Sequence, residues 1–167
     1  MWLLALILGV TAAAGASEPV ETPHLTVRWS TSAAAAAPGG RVSLFIDVAP
    51  KPKMHVYAPQ QKAYIPVSIT LAPAPAVRAQ RPVFPAAEKY FFAPLKETQL
   101  VYSKPFRIVQ HVTIAAPPAL RDAGHTPGSP ITIAGTLRYQ ACDDAICYLP
   151  KEVPVSWTIA VKESPIR

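Results

Sequence analysis

The proline content of this chain limits its fold more than any other feature. Twenty of the 167 residues are proline, and a proline inside a helix or a central strand removes a backbone hydrogen-bond donor. The prolines must therefore lie in turns, at strand edges or at the first residues of strands. Long helices are not expected, and short strands joined by proline-containing turns are.

Between the prolines, apolar residues recur at every second position, which is the spacing of a half-buried strand. The alternation is clearest at residues 153–161. Earlier runs that predict strands lie at residues 25–29, 42–48, 54–57, 67–71, 106–114 and 131–139, with an edge strand expected around Val77. The chain is therefore predicted to form seven or eight short strands.

This pattern predicts an all-β fold, an immunoglobulin-like antiparallel β-sandwich, because short strands alternate with turns and no convincing amphipathic helix is present. A closed β-barrel is the alternative. The sequence contains no repeat of fixed period, which argues against a propeller or a solenoid.

The first 16 residues have the features of an export leader. An apolar run at residues 2–10 is followed by Ala14 and Ala16 in a small-x-small cleavage pattern. Residues 1–16 are predicted to be a signal peptide, and residues 17–167 a single periplasmic domain. The run is shorter than the roughly 20 apolar residues that span a bilayer, so no stable membrane insertion is expected after cleavage.

The formal net charge of +6 is spread through the chain rather than gathered in one block. Such a distribution is typical of a solvated surface. Nucleic-acid binding would need a basic stripe with interleaved aromatic residues or a recognisable module, and the sequence contains neither. No nucleic-acid partner is therefore expected, although a mildly basic surface can steer an acidic partner protein.

Both cysteines, Cys142 and Cys147, lie in the connection between the last two predicted strands. In an oxidising compartment such a pair is expected to form a disulfide. The chain-entropy model gives so short a loop about 2 kcal/mol of stabilisation, against about 4 kcal/mol for a cross-link spanning much of the domain. A redox-active pair, presented to a partner by an end loop, is therefore favoured over a structural cross-link, which stays the alternative.

A metal site is a weaker hypothesis for these cysteines. Tetrahedral zinc needs two more ligands, and the loop contains no histidine, so His55 or His111 would have to fold close to it. Met54 with His55 could form half of a copper site, but such residues are common in strands. No metal or other cofactor is expected.

Two carboxylates stand directly beside the first cysteine. Asp143 and Asp144 should disfavour a thiolate on Cys142 unless a positive group offsets them. Both are therefore predicted to tune the reactivity of the pair. We expect a sluggish free thiol that reacts mainly inside a docked complex, where the partner supplies the electrostatics.

Three consecutive aromatic residues, Tyr90, Phe91 and Phe92, form a separate feature. They follow Glu88 and Lys89 and show no regular period, so this segment is predicted to be a loop. Such side chains either pack in the core or lie over a functional site.

The cysteine segment, residues 139–150 with the valine-rich strand behind it, resembles the N-terminal periplasmic domain of the thiol-disulfide interchange protein DsbD. His55 and Tyr57 match the family's His-x-Tyr strand near the active site and would form a wall of that site. Residues 88–92 fall where the family has a cap loop whose aromatic side chain shields the disulfide. The resemblance implies an immunoglobulin-like fold and an electron-shuttle role.

The resemblance also implies roles for individual residues. Cys147 would be the attacking thiol and Cys142 its resolving partner. Phe91 would be the cap, with Tyr90 and Phe92 as close alternatives.

The same resemblance implies partners. Electrons would arrive from a thioredoxin-like or membrane thiol-disulfide donor protein and leave to oxidised periplasmic proteins, such as disulfide isomerases or cytochrome c maturation factors. The sequence up to Arg167 contains neither a transmembrane region nor a thioredoxin-like Cys-x-x-Cys domain, so a separate donor is expected. The predicted function is thiol-disulfide oxidoreduction of the protein-disulfide reductase type. The alternative is a non-catalytic β-sandwich binding module with a structural loop disulfide.

Overall fold

β-strands make up about half of the described chain, residues 16–163, in this computed structural model. In chain order the strands are β1 Val20–Glu21, β2 Leu25–Thr31, β3 Ala35–Ala36, β4 Arg41–Pro50, β5 His55–Tyr57, β6 Ser68–Leu71, β7 Val77–Ala79, β8 Glu88–Phe92, β9 Glu97–Tyr102, β10 Phe106–Ile114, β11 Pro130–Tyr139, β12 Ala141–Cys142 and β13 Lys151–Val161. A 3₁₀ turn, Ala93–Leu95, follows β8, and a short helix, α1 Pro117–Asp122, follows β10. The predicted signal peptide, residues 1–16, lies outside the described residues except for Ala16.

Two larger sheets enclose the core and form the sandwich. The first has the strand order β1-β2-β4-β10-β7, and the second has the order β3-β13-β11-β6. Neighbouring strands in them are antiparallel, with the exception of β3 and β13, which are parallel. The predicted all-β, immunoglobulin-like β-sandwich is confirmed, with this one parallel pair as a local departure.

The core follows the alternation in the sequence. On β13, alternate side chains are 3% exposed or less: Val153, Val155, Trp157, Ile159 and Val161. The residues between them are more exposed. Burying one side chain of this kind stabilises the fold by about 1.5–3 kcal/mol, and a slip of one residue would expose the whole set, so the alternation also specifies the strand register.

The aromatic segment at residues 88–92, predicted to be a loop, is a strand instead. It forms β8 and pairs antiparallel with β9 along its whole length, with Phe91 opposite Thr98. The sequence did not predict β9 either, because Glu97 and Gln99 stand at positions where an apolar inward face would be expected. The partner strand thus explains why an aperiodic aromatic segment is extended.

Helix α1 also departs from the sequence prediction. It begins with two prolines in its first turn, where a missing N–H is tolerated, and it extends into the segment 121–130, which was predicted to be a loop. Leu120 is 3% exposed and packs into the core, which holds in place a helix too short to be stable alone. Within residues 16–163, no helix is long and apolar enough to cross a membrane.

A third, smaller sheet carries the cysteine segment. Its strand order is β12-β5-β9-β8. β12 begins directly after β11 and pairs with β5, with Cys142 opposite His55, while β9 pairs with both β5 and β8. The sheet therefore gathers residues that are distant in sequence around the two cysteines.

Candidate functional site

The two sulfurs of the pair differ in exposure. Cys142 lies in β12 and is 1% exposed, whereas Cys147 lies in the exposed part of the loop that follows. A disulfide joins them, and strand pairing with His55 holds the backbone of Cys142 in the third sheet. The site therefore presents one cysteine to the outside and keeps the other buried.

The loop between the cysteines is shaped by Asp143. One carboxylate oxygen accepts hydrogen bonds from the backbone N–H groups of Ala145 and Ile146, both at 2.8 Å. The other accepts one from the Tyr148 hydroxyl at 2.8 Å, and the Tyr148 ring packs on His24 with the centroids 4.3 Å apart. Hydrogen bonding, first from the backbone of Ile146 and Ala145 and then from Tyr148, lowers the pKa of Asp143. Its carboxylate therefore stays ionised at neutral pH and orders the loop.

Acidification should loosen this loop. Because the pKa of Asp143 is lower in the folded chain than in an unfolded one, its stabilising contribution is complete above the ordinary aspartate pKa of about 3.9 and is lost as the pH falls through the lower folded value. Amide-exchange protection factors at Ala145 and Ile146, measured by NMR, should decrease in that acid range. Asp143→Asn carries a neutral acceptor at every pH, so it should show the lower protection already at neutral pH and lose the pH dependence. Unchanged pH dependence in that variant would contradict the assignment.

A buried phenol contacts both sulfurs. Tyr57 is 1% exposed, and its hydroxyl oxygen lies 3.3 Å from Cys147 Sγ and 3.3 Å from Cys142 Sγ. Neither sulfur of a disulfide carries a proton, so the phenol is the donor. Burial is the main cause that raises the pKa of Tyr57 to about 12, and the phenol therefore remains protonated at neutral pH.

A second tyrosine lies beside Tyr57 and is anchored to β9. The Tyr64 ring stacks on the Tyr57 ring, with the centroids 4.3 Å apart and the planes at 11°. The Tyr64 hydroxyl donates to the Glu97 carboxylate. Gln99 Nε2 donates to that carboxylate at 2.7 Å and to the Tyr64 hydroxyl at 3.3 Å. Tyr64, Glu97 and Gln99 were not identified from the sequence. Glu97 and Gln99 are two positions apart, and this spacing was the one signal that could have placed them on the same face of a strand.

Strand β8 meets the cysteine loop through Tyr90. The Tyr90 hydroxyl donates to Asp144 Oδ1 at 2.7 Å, and its ring packs on His55 with the centroids 4.8 Å apart. Phe92, on the same face of the strand, lies 6.4 Å from the Tyr90 ring. Phe91 alternates to the opposite face and is 62% exposed. The structure thus places Tyr90 against the residues around the disulfide, and places Phe91 outside that contact.

The buried His55 ring forms one wall of the site. It is 4% exposed, and its burial lowers its pKa, against the opposing effect of Asp144 and Asp143. The ring is therefore neutral at neutral pH, and its edge meets Tyr57 with the centroids 5.9 Å apart. Within residues 16–163, no three His, Cys, Asp or Glu side chains lie together in a group that could hold a metal ion.

Four of the five described large hydrophobic residues that are more than half exposed lie in the two segments that carry the site, β8 with the turn after it and the cysteine segment. Phe91 and Leu95, in β8 and the turn after it, are 62% and 61% exposed, and Ile146 and Leu149, in the cysteine loop and just after it, are 56% and 85% exposed. We refer to these four residues as the apolar rim. Among the described residues, Val83 is the one other large hydrophobic residue with comparable exposure, at 53%. Clusters of this kind mark interaction surfaces.

A β-sandwich that holds a disulfide between one buried and one exposed cysteine in a connecting loop has the form of a domain that exchanges disulfides with partners. The family model described as the N-terminal region of the thiol:disulfide interchange protein DsbD matches residues 23–157. The chain belongs to this family. The resemblance drawn from the sequence is confirmed.

Solved structures give a more distant comparison. The N-terminal periplasmic domain of ScsB from Proteus mirabilis is similar at a TM-score of 0.58 and 12% identity, over 87% of this chain and 51% of that one. This chain thus spans about half of the ScsB domain, and at this identity the likeness concerns the fold. The GAE domain of yeast GGA1 matches at a TM-score of 0.40 and 9% identity, over 82% of this chain and 94% of that one. No curated protein sequence matches the chain.

Proposed function

We propose that this chain is a periplasmic thiol-disulfide oxidoreductase of the protein-disulfide reductase type, which passes two electrons to oxidised partner proteins through Cys142 and Cys147. The unequal exposure of the two cysteines carries the proposal. Cys147 is exposed, whereas Cys142 is 1% exposed. A partner can reach the first sulfur, and the second is reserved for the intramolecular step.

The reaction consists of two exchanges. In the reduced domain the Cys147 thiolate attacks a partner disulfide, so that a Cys147–partner bond forms while the partner's second sulfur leaves as a thiolate. The Cys142 thiolate then attacks Cys147 Sγ, which restores the internal disulfide and releases the partner as a dithiol. Two electrons have left the domain, and a donor dithiol, thioredoxin-like or membrane-bound, restores them by the same steps in reverse.

Tyr57 assists both exchanges. Its hydroxyl oxygen is 3.3 Å from each sulfur, so it can donate to whichever sulfur carries the negative charge. A hydrogen bond to a thiolate favours the charged form. This donor offsets the neighbouring carboxylates Asp143 and Asp144, which were predicted to make the thiol sluggish.

Tyr90 acts as the cap. Its hydrogen bond to Asp144 and its packing on His55 hold β8 against the cysteine loop, and Tyr90 also packs against the small buried cluster of Tyr57, Val101 and Cys142. In this proposal Tyr90 takes the role that the resemblance implied for Phe91, and docking of a partner breaks the Tyr90–Asp144 contact. The apolar rim then covers the partner surface around its own disulfide, which excludes adventitious thiols from the reaction.

The reduction potential of the Cys142–Cys147 pair tests this function. The purified protein is equilibrated with glutathione or dithiothreitol buffers, and the free thiols are trapped and counted. A value between about −180 and −270 mV, within the span of known exchange proteins, is expected. A value well below about −300 mV would make the disulfide structural and would favour the non-catalytic binding module.

A further inference from the structure

We propose that Tyr64 and Glu97 are positioning residues, which hold the Tyr57 hydroxyl against the two sulfurs and thereby set the acidity of the exchanging thiol. The inference rests on the proposed exchange function and extends it to residues that touch neither sulfur. It follows from three contacts that lead from the disulfide to β9.

The first contact orients the phenol. Tyr57 is 1% exposed, and its ring is stacked on Tyr64 with the planes only 11° from parallel. The edge of the His55 ring, with the planes at 83°, meets it as well. A ring packed in this way has little freedom to move sideways, so the position of its hydroxyl depends on its stacking partner.

The second contact fixes Tyr64 itself. Tyr64 lies in the connection between β5 and β6, and its hydroxyl donates to the Glu97 carboxylate. An ionised carboxylate only accepts hydrogen bonds, so the Tyr64 hydroxyl must be the donor in its bond to Glu97. The Tyr64 hydroxyl therefore does not compete with the Tyr57 hydroxyl as a donor to the sulfurs. Hydrogen bonds from Tyr64 and then Gln99 lower the pKa of Glu97, which keeps it ionised.

The third contact ties the cluster to the sheet. Gln99 is 1% exposed and donates from Nε2 to Glu97 and to the Tyr64 hydroxyl. Glu97 and Gln99 are two residues apart on β9, the strand that pairs with β5 and so with the backbone of Tyr57. Tyr57 and the two residues that hold Tyr64 therefore lie on paired strands, β5 and β9.

Several charged and titratable groups around the sulfurs also affect the thiol pKa that the test measures. They come from β5, the β5–β6 connection, β8, β9 and the cysteine loop: His55, Tyr57, Tyr64, Tyr90, Glu97, Asp143 and Asp144. A substitution that removes a charge from this set changes the thiol pKa directly. A substitution that removes only a neutral hydroxyl avoids this effect, which makes Tyr64→Phe the decisive variant.

The experiment is a double-mutant cycle on the reduced protein, with the lower macroscopic thiol pKa followed by the ultraviolet absorbance of the thiolate. Tyr57→Phe should raise this pKa by about one unit, the equivalent of one hydrogen bond to a charged group. Tyr64→Phe should raise it by about half as much, which leaves about threefold less thiolate at neutral pH. In the Tyr57→Phe background, Tyr64→Phe should add no shift. Equal shifts in both backgrounds, or no shift in either, would overturn the proposal.

The Glu97 variants separate the hydrogen bond from the charge. Glu97→Ala and Glu97→Gln remove the same charge, but the glutamine oxygen can still accept from Tyr64. The thiol pKa should therefore be higher in Glu97→Ala than in Glu97→Gln, and equal values would argue against a positioning role. Tyr102→Phe is the control for Tyr64→Phe. It removes a tyrosine hydroxyl from β9 that donates to the Pro85 carbonyl at 2.8 Å, away from Glu97, and it should leave the thiol pKa unchanged.

These measurements do not depend on a partner protein. If the cycle shows coupling but the pair exchanges with no disulfide partner, the positioning role stands and the proposed function fails. If exchange occurs with equal shifts in the cycle, the function stands and the positioning role fails. Thermal unfolding of each variant confirms that the fold is retained.

Discussion

Replacement of Cys147 by serine is expected to abolish disulfide exchange, whereas replacement of Cys142 by serine should leave a chain that still attacks its partner and then remains attached to it. The difference follows from burial, because Cys147 is exposed and Cys142 is 1% exposed. Turnover should fall by more than about a thousandfold in both variants, as it does when a nucleophile that acts in a unit is removed. Only Cys142→Ser should accumulate a mixed disulfide.

The measurement is non-reducing electrophoresis of each reduced variant mixed with an oxidised thioredoxin-like protein. Both variants lose the same loop disulfide, worth about 2 kcal/mol of stability in the chain-entropy model, so their unfolding midpoints should be similar. The double variant Cys142→Ser/Cys147→Ser is the control for non-covalent association. Accumulation of the mixed disulfide in Cys147→Ser instead would reverse the assigned roles, and failure of either variant to fold would support a structural disulfide.

The main sandwich could be predicted from the sequence because its strands are long enough for the alternation to repeat. β4 and β13, for example, have 10 and 11 residues, and each repeats its inward apolar position at least four times. A residue pattern of that length distinguishes a strand from a helix and also indicates which face is buried. The fold class therefore followed from local sequence alone.

Most of the third sheet could not be predicted in the same way. The strand predicted at residues 54–57 contains β5, but β12 has 2 residues, and β8 and β9 have 5 and 6, which is too short for a period to be recognised. β8 is extended because it pairs with β9, and such pairing between segments is a property of tertiary structure that local propensity does not contain. The prediction of a loop at residues 88–92 failed for this reason.

The choice among the three aromatic candidates for the cap required the knowledge that residues 88–92 form a strand. Once β8 is known to be extended, Tyr90 and Phe92 must share one face and Phe91 must take the other. The bond from Tyr90 to Asp144 then follows from the meeting of β8 with the cysteine loop. The cysteines could be singled out because both lie in one short segment, but Tyr64 meets Glu97 only after β5 and β9 have paired.

The second large effect is expected at the apolar rim. Ile146→Asp combined with Leu149→Asp should lower kcat/KM for a protein partner by at least about tenfold, since burying one such side chain in an interface is worth about 1.5–3 kcal/mol. The two residues are 56% and 85% exposed, so their replacement removes little packing from the free domain. Stopped-flow mixing of the reduced variant with an oxidised partner measures the loss.

Small thiols provide the internal comparison for this variant. They need no docking surface, so the rate at which dithiothreitol reduces the Cys142–Cys147 disulfide should change far less than the rate with a protein, apart from the added negative charge. Val83→Asp, at a residue that is 53% exposed and bridges to β10 in the first sheet, adds one negative charge away from the rim and should leave both rates unchanged. Equal losses with dithiothreitol and with the protein partner would show that the rim acts on the sulfurs themselves, and an unaffected protein rate would place the docking surface elsewhere. Ile146 and Leu149 lie on either side of Cys147 in the sequence, so a loss of rate confined to the protein partner would show that the surface beside Cys147 selects partners. The buried Tyr57 hydroxyl and the residues that hold it would then control reactivity.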